Sequence, residues 1–547
     1  MCAEKITISD IKSAEKLLGI TYSKSEREQM VQNLEGQILS AKLRRGIELD
    51  NTTPMASKFD PRLPGFQMPS RSDIKLQKRD IKLPKNKEDI AFASIGEQGK
   101  WIKDGLLTSR KLTEIYLERI ESFESKLECF ATVTKDQALA EADAMDLLTS
   151  AKINLGPLHG IPYGLKDLFD TKGVRTGWGA EPYQNRVPVE DAEIVKRLRA
   201  AGAVILGKTT LGALAYNDIW YGGRTKNPWN LNEGSSGSSA GSASATAAAL
   251  CSFAIGTETL GSITSPSQRC GTTGLRPTFG RVSRQGGMAL CWSLDKIGPI
   301  CRSVEDTGIV LSTLNGYDEN DLSSIRAPFN FDTSKNIKDL VIGYLPEAFE
   351  DGATEVDRAA LKVAMSLGAK VKEVKLEDLP YMSLINILYA EAAAAFEHLT
   401  LSDEDDTLTW QDDGAWPNTF RKARFLSAVD HVQLDRLRYL VMKALDNLFS
   451  EIDILIGPFD TGPMLVASNF TGHPCLHLRA GFQKLASRGA ASLGEGKLST
   501  GEAGKGIKFL VPHGISLWGR LFEEEKILNF GIALEKELGV YKKRPDL

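Results

Sequence analysis

Between Glu233 and Gly271 the chain reads EGSSGSSAGSASATAAALCSFAIGTETLGSITSPSQRCG, serine hydroxyls spaced among glycine and alanine. Tracts of this kind are flexible connectors when they stay polar throughout. This one passes through ATAAALCSFAIG (Ala245–Gly256), which reads as a buried helix leading into a short strand. Its serines are therefore candidates for nucleophilic chemistry, which needs a base beside the hydroxyl. The chain has only six histidines. His473 and His477 in GHPCLH stand four apart around Cys475, superficially like metal ligands. Pro474 interrupts them and no acidic residue lies beside them, so ordinary packing is the expectation. GSSAG (Gly237–Gly241) matches the G-x-S-x-G nucleophile elbow with Ser239 at its centre. That motif requires a strand feeding a sharp turn, and the preceding RTKNPWNLNEGSS is a turn-rich loop.

A serine can instead be activated by a lysine held neutral, because burial disfavours the ammonium form. Lys166 lies in GPLHGIPYGLKDLFDTKGVRTGWGA, an unusually apolar and glycine-rich setting. That segment alone reads equally as a surface lysine at a strand end.

The elements that must position these groups follow from the rest of the chain. With 547 residues, 42% hydrophobic and 25% charged, it can bury a large core. A net charge of −4 gives no electrostatic case for nucleic acid or an anionic membrane. Seven cysteines, an odd number with no CxxC pair, suit a reducing compartment, and MCAEKITISD has no apolar signal core, so a cytoplasmic location is expected. Residues 1–50 read as helices, with Ser23 or Ser25 and Glu26 or Glu28 forming a capping box. Prolines accumulate from Asn51 to Lys87, an extended strap in which DIKL occurs twice. Beyond it, TSRKLTEIYLERIESFESKL and DQALAEADAMDLLTS are amphipathic helices. AGAVILGKTT, LVIGYLP, KVKEVKL and IDILIGPF are strands, and the alternation predicts an α/β fold with a covered sheet. The acidic Ser402–Gly414 lacks EF-hand spacing and reads as a solvated loop, and 485–506 as a mobile insertion.

Four segments occur in a fixed order: GPLHGIPYGLKDLFDTKG, NPWNLNEGSSGSSAGSASA, GTETLGSITSPSQRCGTTGLRPTFGRVS and SLDKIGPICRSVEDTGIVLSTLNGYD. Together they resemble the amidase signature family, which includes fatty acid amide hydrolases, peptide amidases and the A subunit of glutamyl-tRNA amidotransferase. The likeness runs from about Asp89 to the closing KKRPDL. It implies a catalytic domain over 88–547, preceded by a helical segment and strap over 1–87, with a large mixed central sheet covered by helices on both faces. It further implies a Ser–cis-Ser–Lys triad falling on Ser262, Ser238 and Lys166. The backbone of Thr259, Leu260 and Gly261 would supply the oxyanion hole, with Gly237 and Ser239 binding substrate. No metal or cofactor is implied. The partner is a small-molecule amide, not nucleic acid or membrane, with room for a homodimer.

The chain departs from the family's D-T-G-G-S-I-R, reading Glu258-Thr259-Leu260-Gly261-Ser262-Ile263-Thr264. Leu260 must tolerate a Cβ where a glycine is usual, and Thr264 removes an ion pair, for which Arg269 is the expected substitute. After DILIGPFDTGPM the chain reaches ASNFTGHP quickly, without the longer segment that in the amidotransferase subunit holds glutamine's ammonium group. The resemblance favours a stand-alone amidase of aryl or alkyl amides, with ester or carbamate cleavage also open. A glutaminase subunit and a catalytically weak binding relative remain as alternatives.

Overall fold

The structure, a computed structural model, describes residues 6–31, 33–70, 73–76, 81–350, 352–489 and 507–547. Most of the 485–506 insertion and the start of the second DIKL lie outside these residues.

Eleven strands form one central sheet. In chain order they are β1 (Phe130–Val133), β2 (Pro162–Lys166), β3 (Val204–Thr209), β4 (Phe253–Glu258), β5 (Thr273–Arg276), β6 (Lys296–Cys301), β7 (Val341–Tyr344), β8 (Lys370–Glu373), β9 (Ile454–Pro458), β10 (Cys475–Ala486) and β11 (Lys508–Gly519). Their spatial order is β8-β7-β9-β11-β10-β5-β6-β4-β2-β3-β1. Pairing is parallel for β8 with β7, β7 with β9, β4 with β2 and β2 with β3, and antiparallel through the centre and at the β1–β3 edge. Every residue of β2, β3, β4 and β6 is buried, so both faces of that region are covered, as continuous rather than alternating apolar strands require. The expected mixed α/β architecture is present.

Helix α1 (Ala240–Ala247) packs on β4, β2 and β6, and α2 (Thr264–Cys270) on α1 and the long β10–β11 hairpin. The Ala/Ser/Gly composition of α1 leaves no bulky side chain, which lets the helix approach the sheet closely. The tract whose composition looks linker-like is thus the tightly packed centre of the molecule, with all of α1 buried.

Outside this core, the N-terminal segment forms helices Ile8–Leu18, Lys24–Val31 and Leu34–Arg45. The Ser23–Glu26 pair closes the capping box: Glu26 N–H donates to the Ser23 hydroxyl (3.3 Å) and Ser23 N–H to the Glu26 carboxylate (2.5 Å). The strap then lies on the body: Phe59 meets Phe279 edge-on at 5.2 Å, and the Arg438 guanidinium stands 3.4 Å from the centre of the Phe59 ring. The acidic loop is not wholly solvated. Asp405 is buried and paired with Arg421 at 3.0 Å, because an enclosed carboxylate needs a cation.

Candidate active site

β2 ends at Lys166, and its neighbour β4 runs into the loop that carries Ser262. Lys166 has no solvent exposure. Its Nζ donates to Ser238 Oγ (2.8 Å), Ser239 Oγ (3.0 Å) and Thr257 Oγ1 (2.7 Å). Three hydroxyls surround it, and burial pushes its pKa well below the ordinary 10.5. Asp295 and Glu258 act in the opposite sense, more weakly.

The serine-rich loop approaches from the other side. The Gly237–Ser238 peptide is cis. A Cβ at Gly237 would stand 1.8 Å from the Asn217 carbonyl oxygen, so only glycine permits this backbone approach. The other serines are fasteners. Ser239 Oγ accepts from Thr257 N–H and donates to the Thr257 carbonyl, tying α1 to β4. Ser242 donates to the Ile255 carbonyl, and Ser236 and Ser265 share a 2.7 Å hydrogen bond.

Ser262 lines a cavity of about 210 Å³ together with Thr259, Leu260, Gly261, Ser265, Ser236 and Gly237. Opposite them stand Leu290, Leu388, Trp416, Phe459 and Leu465, so the space is mainly apolar. Among the described residues, the backbone amides of Leu260, Gly261 and Ser262 donate to no protein acceptor. Gly261 takes a φ of 87°, which turns the loop toward the cavity, whereas Leu260 is not among the positive-φ residues and carries its side chain without strain.

Glu258, at the end of β4, fixes this loop. One carboxylate oxygen accepts from Ile263 N–H (2.9 Å), Thr264 N–H (2.9 Å) and the Thr264 hydroxyl (3.0 Å). The other accepts from Arg276 (2.6 Å) and Asn469 (3.0 Å). Despite complete burial, the charge of Arg276 and these donors hold the carboxyl at about 2. The compensating cation is therefore Arg276, not Arg269. Arg269 instead lies 3.9 Å from Glu233, on the far side of the serine loop.

The structure places Gly237, Thr259, Leu260, Gly261 and Ser262 around one cavity. Lys166 and Ser238 are hydrogen-bonded to each other and do not line it. The chain next to Ser238 meets the Ser262 backbone where Ser239 N–H donates to the Ser262 carbonyl (3.2 Å). The Ser239 hydroxyl is engaged by Lys166 and Thr257, and Ser239, like Lys166 and Ser238, does not line the space beside Ser262. Two further groups reach the site: Asp295, inside the SLDKIGPIC stretch of the fourth family segment, and Asp460, outside those segments. Asp295 accepts from the Thr259 hydroxyl (2.6 Å) and from Leu290 and Cys291 N–H, joining the Thr259–Ser262 loop to the cavity wall. Asp460, in the very GPFDTGPM segment that lacked a visible ammonium-binding extension, lines the cavity of Ser262. The fourth family segment is the signal that could have marked Asp295, whereas nothing in the spacing around Asp460 marks it. His473 and His477 are buried, and burial lowers both to about 3. Among the described residues no group of three or more His, Cys, Asp or Glu could hold a metal ion, and no helix is long and apolar enough to cross a membrane.

A mixed α/β sheet that buries a lysine among hydroxyls, beside a serine-lined cleft, defines an enzyme built for hydrolytic chemistry. Comparison with known proteins specifies which kind. The Amidase family model matches residues 111–528, and the chain belongs to that family: it is a hydrolase acting on carbon–nitrogen amide bonds. It is 32% identical to the A subunit of the glutamyl-tRNA(Gln) amidotransferase of Geobacter sp. (strain M21), over 84% of this chain and all of that one. It is 33% identical to the protein of the same name from Roseiflexus sp. (strain RS-1), over 81% of this chain and 96% of that one. Among solved structures it resembles the peptide amidase of Stenotrophomonas maltophilia at a TM-score of 0.68 and 26% identity, covering 83% of this chain and 98% of that one.

Proposed function

We propose that this chain is a serine amidase in which Lys166 is the base, Ser238 the proton relay and Ser262 the nucleophile. The observation that carries this reading is the Lys166 environment: a fully enclosed amine within hydrogen-bond distance of three hydroxyls, one of them Ser238, whose O–H turns to donate to the neutral amine. As the substrate seats, Ser262 Oγ attacks the amide carbon while its proton passes through the Ser238 hydroxyl to the neutral Lys166 amine. The C–O bond to Ser262 forms, and the carbonyl oxygen becomes an oxyanion facing the amides of Thr259–Ser262. Each such donor is worth about 3 kcal/mol in the transition state. The C–N bond then breaks, the departing amine takes the proton back along the relay, and water hydrolyses the acyl-enzyme. The apolar lining of the Ser262 cavity favours alkyl or aryl acyl groups.

A fluorophosphonate tests the assignment. Mass spectrometry should find it on Ser262, with labelling abolished in Ser262→Ala. A label on Ser239 would overturn the triad.

One observation favours a second reading. Asp460 places a carboxylate at the Ser262 cavity, a position suited to an ammonium group, and the curated relatives above are amidotransferase subunits. Glutamine hydrolysis that appears only with added partner subunits, and no turnover of simple anilides by the chain alone, would select it.

A further inference from the structure

A second and larger cavity, of about 930 Å³, adjoins the cavity of Ser262. The two share Ala215, Thr259 and Leu290, which stand at their common border, where a neck between them would lie. Thr259 carries part of the oxyanion loop, so any group reaching through this neck starts at the reacting carbonyl.

Part of the wall of the large cavity is made by the N-terminal strap, which lines it from Asn51 to Arg62. The strap is held there by specific contacts. Asn51 accepts from Ala289 N–H (2.8 Å) and donates to the Ala289 carbonyl (2.8 Å), next to Leu290 at the neck. Phe59 lies against Arg438, a buried cavity residue whose guanidinium also holds the Ser293 carbonyl at 2.7 Å. Gln285, also in the lining, has a buried side-chain oxygen with no hydrogen-bond partner. A cavity of several hundred Å³ can enclose a drug-sized ligand, whereas the inner one suits a compact group.

Resting on the serine-amidase reading, we propose that the strap builds a leaving-group chamber, so that the preferred substrate is an amide joining a compact apolar acyl group to a large polar amine. The acyl group stays bonded to Ser262 in the small cavity, while the released amine must depart, and the wide chamber is the route through the neck. The chamber lining holds eight Asp or Glu and five Lys or Arg, a balance that favours a neutral or cationic amine over an anionic one.

The test uses the full-length chain and two substrate series. One keeps an acetyl group and enlarges the amine from aniline to a dipeptide amide. The other keeps aniline and enlarges the acyl group. We expect kcat/KM to rise at least tenfold along the amine series and to fall along the acyl series. Met55→Trp, which fills the strap wall of the chamber, and Phe59→Ala should each reduce the large-to-small amine ratio at least tenfold. If Phe59→Ala does not fold, Met55→Trp alone decides. A gain along the acyl series instead, or an amine ratio that neither variant changes, overturns the chamber. Failure of the serine-amidase reading is separate: Ser262→Ala would then retain activity on the smallest anilide.

Discussion

Two lysines on adjacent parallel strands make the instructive comparison. Lys166 ends β2 and Lys208 lies in β3, with Leu165 opposite Lys208 and Lys166 opposite Thr209, so the two side chains go to opposite faces of the sheet. Both are fully buried. Lys208 is given the Phe169 carbonyl (2.5 Å), Thr176 (2.7 Å), Thr171 (3.2 Å) and the Asp167 carboxylate at 3.6 Å. Burial pushes it down only to about 8, because Asp167 and Asp170 oppose the shift. Lys166, whose hydrogen-bond partners are hydroxyls, is held well below 10.5 by burial, with Asp295 and Glu258 opposing. Equal burial thus goes with two sets of partners. Lys208 has the Asp167 carboxylate, which ties it to the loop after β2. Lys166 has three hydroxyls, which under the serine-amidase reading leaves it the neutral amine that takes a proton.

The largest effect should separate the two lysines directly. Lys166→Met should lower kcat/KM by about 10⁴-fold, since members of a proton relay act as a unit. Lys166→Arg should be equally inactive, because guanidinium keeps its proton. Steady-state rates on an anilide check both, and near-normal activity in the arginine variant would show that this lysine only neutralises charge.

Lys208→Met should instead act through stability. Removing one partner of a buried pair costs about 3 kcal/mol. Asp167, raised to about 6 by burial, softens that loss by protonating. The expected result is a clearly lower melting temperature with roughly tenfold weaker catalysis, as the loop after β2 loosens. A folded Lys208→Met protein as inactive as Lys166→Met would collapse the distinction.

Glu258→Gln probes the clamp on the Ser262 loop. It should cost about 10- to 100-fold in kcat with little change in KM, because the loop's donors matter most in the transition state. The sign of the pH effect is fixed: the carboxyl sits at about 2 in the folded chain against an ordinary 4.5. Its stabilisation is therefore complete above 4.5 and disappears as pH falls from 4.5 toward 2. Melting temperatures of wild type and variant should converge across that window and differ above it.

The smallest effect lies in the rate profile. Activity should climb with pH along a limb below 10.5, the neutral Lys166 amine being the active form. Thr257→Val removes an acceptor that favours the ammonium form, and should move the limb toward lower pH. Lys208→Met should leave its position in place. A limb that followed Lys208 would assign the titration to the other lysine.

Much of this was legible in the sequence. The buried alanine-rich helix, the strands around Val204, Val341, Lys370 and Ile454, and the family motifs depend on local composition, period and order along the chain. The same information marked Lys166, Ser238 and Ser262 as candidates, because the motifs that contain them are contiguous. What the sequence did not show was pairing at long range. Arg276 rather than Arg269 holds Glu258, 18 residues away, because β4 and β5 flank β6 and converge there.

The sequence by itself determined the fold class, the family and the candidate chemistry-bearing residues, since these reside in pattern and residue type. Tertiary structure alone decided that Ser239 serves Lys166 instead of the cavity, that Asp295 and Asp460 reach the site, and that a proline-rich strap walls a second chamber. The physical reason is that burial, charge pairing and cavity shape are properties of which atoms meet in space. The proton affinity of Lys166 is set by its burial, opposed more weakly by Asp295 and Glu258, and neither the enclosure nor those carboxylates lie beside it in the chain.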